Sequence, residues 1–244
     1  ALAGALELLG RAGEQPTPPL NLVGDFGGGG MMLAFGVCAA LVEVARSGQG
    51  QVIDAAMIDG AASLMTMTWS FKHMGIWTDE RGTNMLDTGA HFYDTYETAD
   101  GKHISLGPLE PKFFAELVQR LGLDERFVKR QYDPKLWPEL RQAIAAAVLG
   151  KTRDEWTALL EGTDVCFEPV LTLAEAPGHR HAVERQAFID IDGVVQAAPA
   201  PRFSRSVADR PRPPVAAGAH TDAWLAEAGF SADEIAALHA SGAA

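Results

Sequence analysis

Cysteine is scarce in this sequence. Cys38 and Cys166 are the only two in 244 residues, and their spacing fits no metal site or disulfide framework. They read as buried thiols in a reducing compartment. Histidines are scattered from His73 to His239 without HExxH or comparable spacing, so no metal site is expected. Basic residues are also short: 20 Lys and Arg face 32 Asp and Glu, a net charge of −12 with no basic block. That balance argues against nucleic acid or an anionic membrane as a main partner, and leaves room for an anionic small ligand in a local basic pocket. No signal peptide is evident. The most apolar run, Met31 to Val44, is shorter than the ~20 residues a membrane span needs and ends in charge. A cytoplasmic, enzyme-like protein is the expectation. An initiator methionine is missing too. "ALAGALELLG" places Leu2, Ala5, Leu6 and Leu9 at helical spacing with no cap or lead-in strand, and reads as a chain entered in mid-helix, a fragment without its upstream half. There is no internal repeat and no heptad pattern.

What is present is globular: 47% hydrophobic and 21% charged residues, enough for one large domain or two modest ones. Residues 1–10 are expected to be helical, followed by a Pro-rich loop to Pro19. A helix is expected from about Gly28 to Ser47, with Met32, Phe35, Ala39 and Val42 on one face. A short strand, Gln51 to Ala55, and a helix from Asp59 to His73 follow. "HFYDTYET", "ADGK" and "HISLG" predict a β-hairpin, because Asp-Gly between alternating runs favours a tight turn. Helices are expected near 112–121, 137–149 and 153–161, and a strand at "CFEPVLT". "AAPAPRFSRSVADRPRPPVAAG" is too Pro-rich for a helix and should run extended. Two short helices close the chain, with Thr221 and Ser231 as N-caps and Ser231 with Glu234 as a capping box.

Three stretches carry chemistry. In "NLVGDFGGGGMM", Asp25 precedes four glycines and an apolar run. A carboxylate there is an ordinary helix N-cap, or a charged group at a turn where a ligand or a second backbone must come close. The run lacks the Gly-Lys-Ser/Thr of a phosphate loop and the strand context of a dinucleotide fingerprint. In "LGPLEP", Glu110 sits between Pro108 and Pro111 beside Leu106 and Leu109. It either caps the next helix or is a poorly solvated carboxylate with a raised pKa, able to act as an acid or to orient a base. In "RGTNMLDTGAHFYDTY", Asn84, Asp87, His91 and Tyr93 mix with Met85, Leu86 and Phe92, a pattern that suits a ligand wall or a domain linker. All seven methionines fall between Met31 and Met85, where they could line an adaptable apolar surface or pack helices.

Together, "PPLNLVGDFGGGGMM", "SGQGQVIDAAMIDG", "RGTNMLDTGAHFYDTYETADGKHISLGPLEPKFF", "LWPELR" and "GTDVCFEPVL" resemble the family III CoA-transferase and racemase superfamily, and within it the branch that racemises 2-methylacyl-CoA thioesters. The resemblance runs from Ala1 to about Ser206 and more weakly beyond. It implies an α/β fold: part of a Rossmann-like CoA-binding large domain over residues 1–60, a linker helix and loop over 61–90, a smaller α+β domain over 91–180, and a linker with C-terminal helices returning to the large domain over 181–244. It also implies an interlocked homodimer, with each site between the large domain of one subunit and the small domain of the other. Asp25 matches the family's catalytic aspartate, one of two groups that exchange the α-proton. Glu110 matches the glutamate that completes the site with a catalytic histidine. Leu86, Tyr93 and Leu109 match an apolar surface for the acyl chain, and Gly27 and Gly28 are expected to approach the substrate. His91 stands where the family usually has proline. The histidine base is expected a short way upstream of Ala1, in a "GHD" segment, so the chain by itself lacks the complete two-base site. Coenzyme A is part of the substrate and no separate cofactor is implied. The competing readings are a CoA-transferase, with its covalent carboxylate upstream of Ala1, and an assembly or CoA-binding scaffold.

Overall fold

A computed structural model describes the whole chain, residues 1–244. The chain forms two compact units, Ala1–Val170 and Leu171–Ala244.

The helical spacing of residues 1–10 yields only one 3-10 turn, Leu6–Leu8. Gly4 at φ +80 interrupts a segment already too short to nucleate a helix by itself. From Leu22 a single helix of 26 residues runs to Ser47. Its first part, Leu22–Met31, is wound as a π-helix, and α1, Met32–Ser47, continues as an α-helix until Gly48 at φ +73 ends it. The expected start at Gly28 is therefore late, and the glycines are helical rather than a turn.

The winding explains the composition. A Cβ built on Gly27 would lie 3.0 Å from the Leu22 carbonyl oxygen, and one on Gly28 3.0 Å from that of Val23. Each is the carbonyl five residues back, which the π-helix brings against the side-chain position. Gly28 also meets a second backbone. Its Cβ would fall 2.6 Å from the Ala61 nitrogen, and a Cβ on Gly60 would fall 1.8 Å from the Gly28 oxygen. Here α2, Met57–Leu64, crosses the π-segment backbone to backbone. The single helix expected from Asp59 to His73 starts earlier and breaks at Met65 (φ −90, ψ 5) into α2 and α3, Thr66–His73.

Two expectations for this region fail. The apolar segment is longer than Met31 to Val44, and Leu22–Ser47, with a mean hydropathy of 1.7 in its most apolar window, is long and apolar enough to cross a membrane by length and composition. The face that carries Phe35 and Val42 is open, with these residues 71% and 56% exposed. The strand expected at Gln51 to Ala55 is extended chain, since no neighbouring strand takes its hydrogen bonds. Residues 1–90 contain helices and no strand.

The core lies between Ala90 and Phe167. Strands β1 (Asp94–Glu97), β2 (His103–Leu106) and β3 (Phe167–Pro169) form an antiparallel sheet in that order. The hairpin turns where expected, with Gly101 at φ +70. Tyr96 pairs with Ile104 and Leu106 with Phe167 on the buried face. Helices α4 (Pro111–Arg120), α5 (Trp137–Val148) and α6 (Arg153–Leu160) cover that face. Phe114, Leu117, Leu140, Ile144, Val148, Trp156 and Leu160 are buried there. Their i, i+3, i+4 spacing is why these three helices were legible.

In the second unit, α7 (Arg180–Glu184) precedes an unanticipated hairpin, β4 (Phe188–Ile191) with β5 (Val194–Ala197). The chain then runs without regular structure through residue 216. Helices α8 (Thr221–Glu227) and α9 (Ala232–Ser241) end it. The Ser231–Glu234 capping box forms as expected. Thr221 does not cap, because His220 holds that position without a side-chain bond. Both cysteines are unpaired and exposed, contrary to the expected burial.

Candidate active site

Asp25 stands in the first turn of the π-segment rather than at its cap. The cap position is Asn21, and no side chain caps the helix. The carboxylate is exposed and uncommitted to any hydrogen bond or ion pair. It borders a cavity of about 190 Å³ lined also by Ala1, Leu6, Leu9, Pro19, Val23 and Ala61. The start of a helix carries partial positive charge, so this cavity is bordered by both a carboxylate and a helix N-terminus. Gly28 is buried against α2, and the Cβ position of Gly27 is 3.2 Å from Cδ1 of Leu64. The contact observed for both glycines is packing of this helix pair.

Glu110 occupies the N-cap position of α4, ahead of Pro111, yet its carboxylate caps nothing. Only its backbone carbonyl takes part, accepting from the N–H groups of Phe113 and Phe114 at 3.0 Å each. The side chain is exposed, so the poor solvation expected from its proline and leucine neighbours is not found in the single chain. Nearby, Leu86 and the 42%-exposed Tyr93 line a groove of about 340 Å³ together with Arg11, Gly107, Cys166 and Glu168. Leu109 is half-buried against the core. Burial, and then the Glu110 carboxylate, raise the pKa of both the Cys166 thiol and the Tyr132 hydroxyl, with Asp164 adding to the effect on Cys166. Glu110, Tyr132 and Cys166 thus sit within electrostatic reach around this loop.

No hydrogen bond or ion pair joins Asp25 to Glu110. The structure gathers Leu86 and Tyr93 in one groove and leaves Asp25 in another cavity.

The polar residues of the 82–91 loop are taken up by the loop itself. Asp87 accepts from the backbone N–H groups of Gly82 and Asn84 at 3.0 and 2.8 Å and from the Asn84 amide at 2.7 Å, and Asn84 accepts from the Thr78 N–H at 2.7 Å. His91 is fully buried between Phe92 and Phe114, 5.0 and 5.1 Å between ring centroids, with neither ring nitrogen hydrogen-bonded. Burial chiefly, helped by the Arg141 charge, pushes its pKa down to about 3. It is a neutral core group rather than part of a ligand wall.

Sequence reasoning missed two features. Asp94, its side chain 2% exposed, is held by Arg11 at 2.8 Å and by Arg141, which also donates to the Gly89 carbonyl at 2.9 Å. This triad fastens the N-terminal loop to β1. The second is Gln131 beside Tyr132, tied to the loop before Glu110. Neither has a local signature, because the partners are 22 to 83 residues apart.

Over residues 1–221 the sequence matches CoA-transferase family III. It is 46% identical over 242 residues to alpha-methylacyl-CoA racemase of Mus musculus, covering 98% of this chain and 63% of that protein. It is 42% identical over 238 residues to the Homo sapiens protein of the same name, covering 96% of this chain and 62% of that one. The chain therefore spans less than two thirds of the length of these relatives. In fold it resembles the crystal structure of a CAIB/BAIF family protein from Brucella suis, with a TM-score of 0.70 over 93% of this chain and 60% of that one, at 23% identity.

Proposed function

The chain belongs to CoA-transferase family III, and on that premise we propose that its parent protein interconverts (2R)- and (2S)-2-methylacyl-CoA thioesters. The reading rests on one observation: an uncommitted carboxylate, Asp25, in the first turn of a helix and at the edge of a mainly apolar cavity. Identity to two racemases over nearly the whole chain favours it over other activities of the family.

An α-proton beside a thioester is weakly acidic, so its removal needs a base where the enolate oxygen is stabilised. In one direction Asp25 takes the proton. The C–H bond pair moves into the enolate, and a second group returns a proton to the opposite face. That second group is the histidine expected upstream of Ala1. Ala1 lines the same cavity as Asp25. Glu110 orients that histidine, and the groove at Leu86 and Tyr93 takes the acyl chain, with Leu109 the third apolar residue that the resemblance assigns to it. No separate cofactor is required, since the CoA moiety is substrate.

The separation of Asp25 from Glu110 within one chain fits an interlocked homodimer in which each site draws on both subunits. The exposed face of α1 is then protein-covered rather than lipid-facing. A cytoplasmic placement accords with two unpaired cysteines.

Asp25→Asn in the full-length protein is expected to slow deuterium exchange at C2 in at least one direction. Unchanged exchange and racemisation would remove Asp25 from the mechanism. The family's transferase chemistry is the second reading, and hydroxylamine trapping of an acyl-enzyme anhydride in the full-length protein would favour it.

A further inference from the structure

The loop that ends in Glu110 is fastened from behind by Gln131 and Tyr132. Gln131 is 2% exposed, and its side-chain amide donates to two consecutive carbonyls, Pro108 at 2.9 Å and Leu109 at 2.9 Å. The Tyr132 hydroxyl donates to the same Leu109 carbonyl. The clamp rests on the core: the Trp137 indole donates to the Gln131 carbonyl at 3.0 Å, and Phe92 meets Tyr132 and Trp137 edge-on at 5.4 and 6.2 Å.

The Gln131 amide oxygen is buried without a donor. An unpaired buried acceptor is destabilising, so what this side chain contributes lies in its two N–H bonds. Those bonds fix the two carbonyls immediately before Glu110, while Pro111 fixes the backbone after it. The Glu110 carboxylate itself makes no cap bond, so its placement depends on the backbone that carries it.

We propose that Gln131, assisted by Tyr132, is a positioning residue for Glu110 in the proton-transfer site. The proposal rests on the reading that Glu110 belongs to that site. Gln131 touches no reacting atom. It removes the freedom of the Pro108–Leu109 backbone, so that the carboxylate meets its histidine partner in one geometry. Displacing such a group by about 1 Å costs up to about a hundredfold in rate.

The test uses the full-length protein and a 2-methylacyl-CoA substrate, with three variants compared for kcat, KM, the pH dependence of kcat and thermal midpoint. Gln131→Met keeps the volume and removes both donors. Well below its melting temperature it should lower kcat by about tenfold or more, leave KM within about twofold, and shift a limb of the pH profile. Tyr132→Phe, at a half-exposed side chain, should move kcat the same way by a smaller factor. It also keeps the proposal testable if Gln131→Met does not fold. A folded Gln131→Met protein with unchanged kcat and pH profile overturns the proposal. So does a rate loss that matches only a reduced folded fraction, with Tyr132→Phe unaffected. Glu110→Gln is the reference: if it retains full C2 exchange, the underlying reading of Glu110 fails, whereas a silent Gln131→Met beside an inactive Glu110→Gln refutes the positioning role alone.

Discussion

Replacing Gly60 by alanine adds one methyl group where none fits. The new carbon would lie 1.8 Å from the Gly28 oxygen, 2.6 Å from its carbonyl carbon and 2.8 Å from its Cα. Normal contact is roughly 3.5 Å, so α2 and the π-segment must part by about 1.7 Å, and no rotamer change can relieve a backbone clash. Overpacking of this kind costs about 1–3 kcal/mol. Alanine returns up to about 1 kcal/mol of helix propensity. The net loss, about 1–2 kcal/mol, should lower the melting temperature by about 4 °C in a protein of this size. Gly30→Ala is the matched control, because its Cβ would meet only the Asp25 carbonyl oxygen at an ordinary 3.5 Å. That variant should be neutral or slightly more stable. Calorimetric melts of both, with C2 exchange measured on the full-length protein, separate the cases. Gly60→Ala should lose exchange as well as stability, since Asp25 is on the segment that moves. Equal melting temperatures for the two variants would refute the backbone-crossing explanation of the glycine run.

Two further outcomes follow from buried charge. His91 has a folded pKa of about 3 against an unfolded value near 6.5, so its contribution is fully present above pH ~6.5 and is lost as pH falls toward 3. Between pH 6.5 and 5 this amounts to about 2 kcal/mol, and His91→Leu should flatten the acid limb of urea-melt stability against pH, whereas an unchanged slope refutes the assignment. Asp94→Asn strands Arg11 and Arg141 and should cost about 3 kcal/mol, at the low end for a buried pair because both arginines are partly exposed; a urea midpoint within error of wild type would contradict this.

Legibility in the sequence followed the range of the interaction. Helices α4 to α6 and the β1–β2 hairpin were readable because periodicity and an Asp-Gly turn act over a few residues and their buried partners lie within the same core. The same Asp-Gly signal at Asp192-Gly193 turns the β4–β5 hairpin, where a Pro-rich stretch follows and no long alternating runs flank it. The strand at Gln51 to Ala55 had the right residues but no neighbour to pair with, and composition cannot supply one. At the site, no local rule separated Asp25 or Glu110 from a cap. Motif resemblance singled them out, and the structure then found neither carboxylate capping its helix. Gln131 could not have been found at all, since its two acceptors lie 22 and 23 residues away.

The two candidate carboxylates stand on unequal ground. Glu110 springs from a unit whose core runs from Ala90 to Phe167 with many side chains wholly buried. Before Ala90 the buried apolar side chains are Ala5, Ala61 and Trp77, while Phe26, Leu33, Phe35, Leu41 and Val42 on the Asp25 helix remain open. Within this chain the Asp25 helix is held chiefly by the Gly28–Gly60 crossing, where backbone contact replaces side-chain interdigitation. Proton transfer tolerates little misplacement. On the proposed reading, the aspartate therefore acquires its geometry only when the face beside it is covered in the full-length assembly. The glutamate arrives already held by Gln131, Tyr132 and Pro111. On that same reading activity is coupled to assembly, because the Glu110 side is built by local folding and the Asp25 side is completed by association.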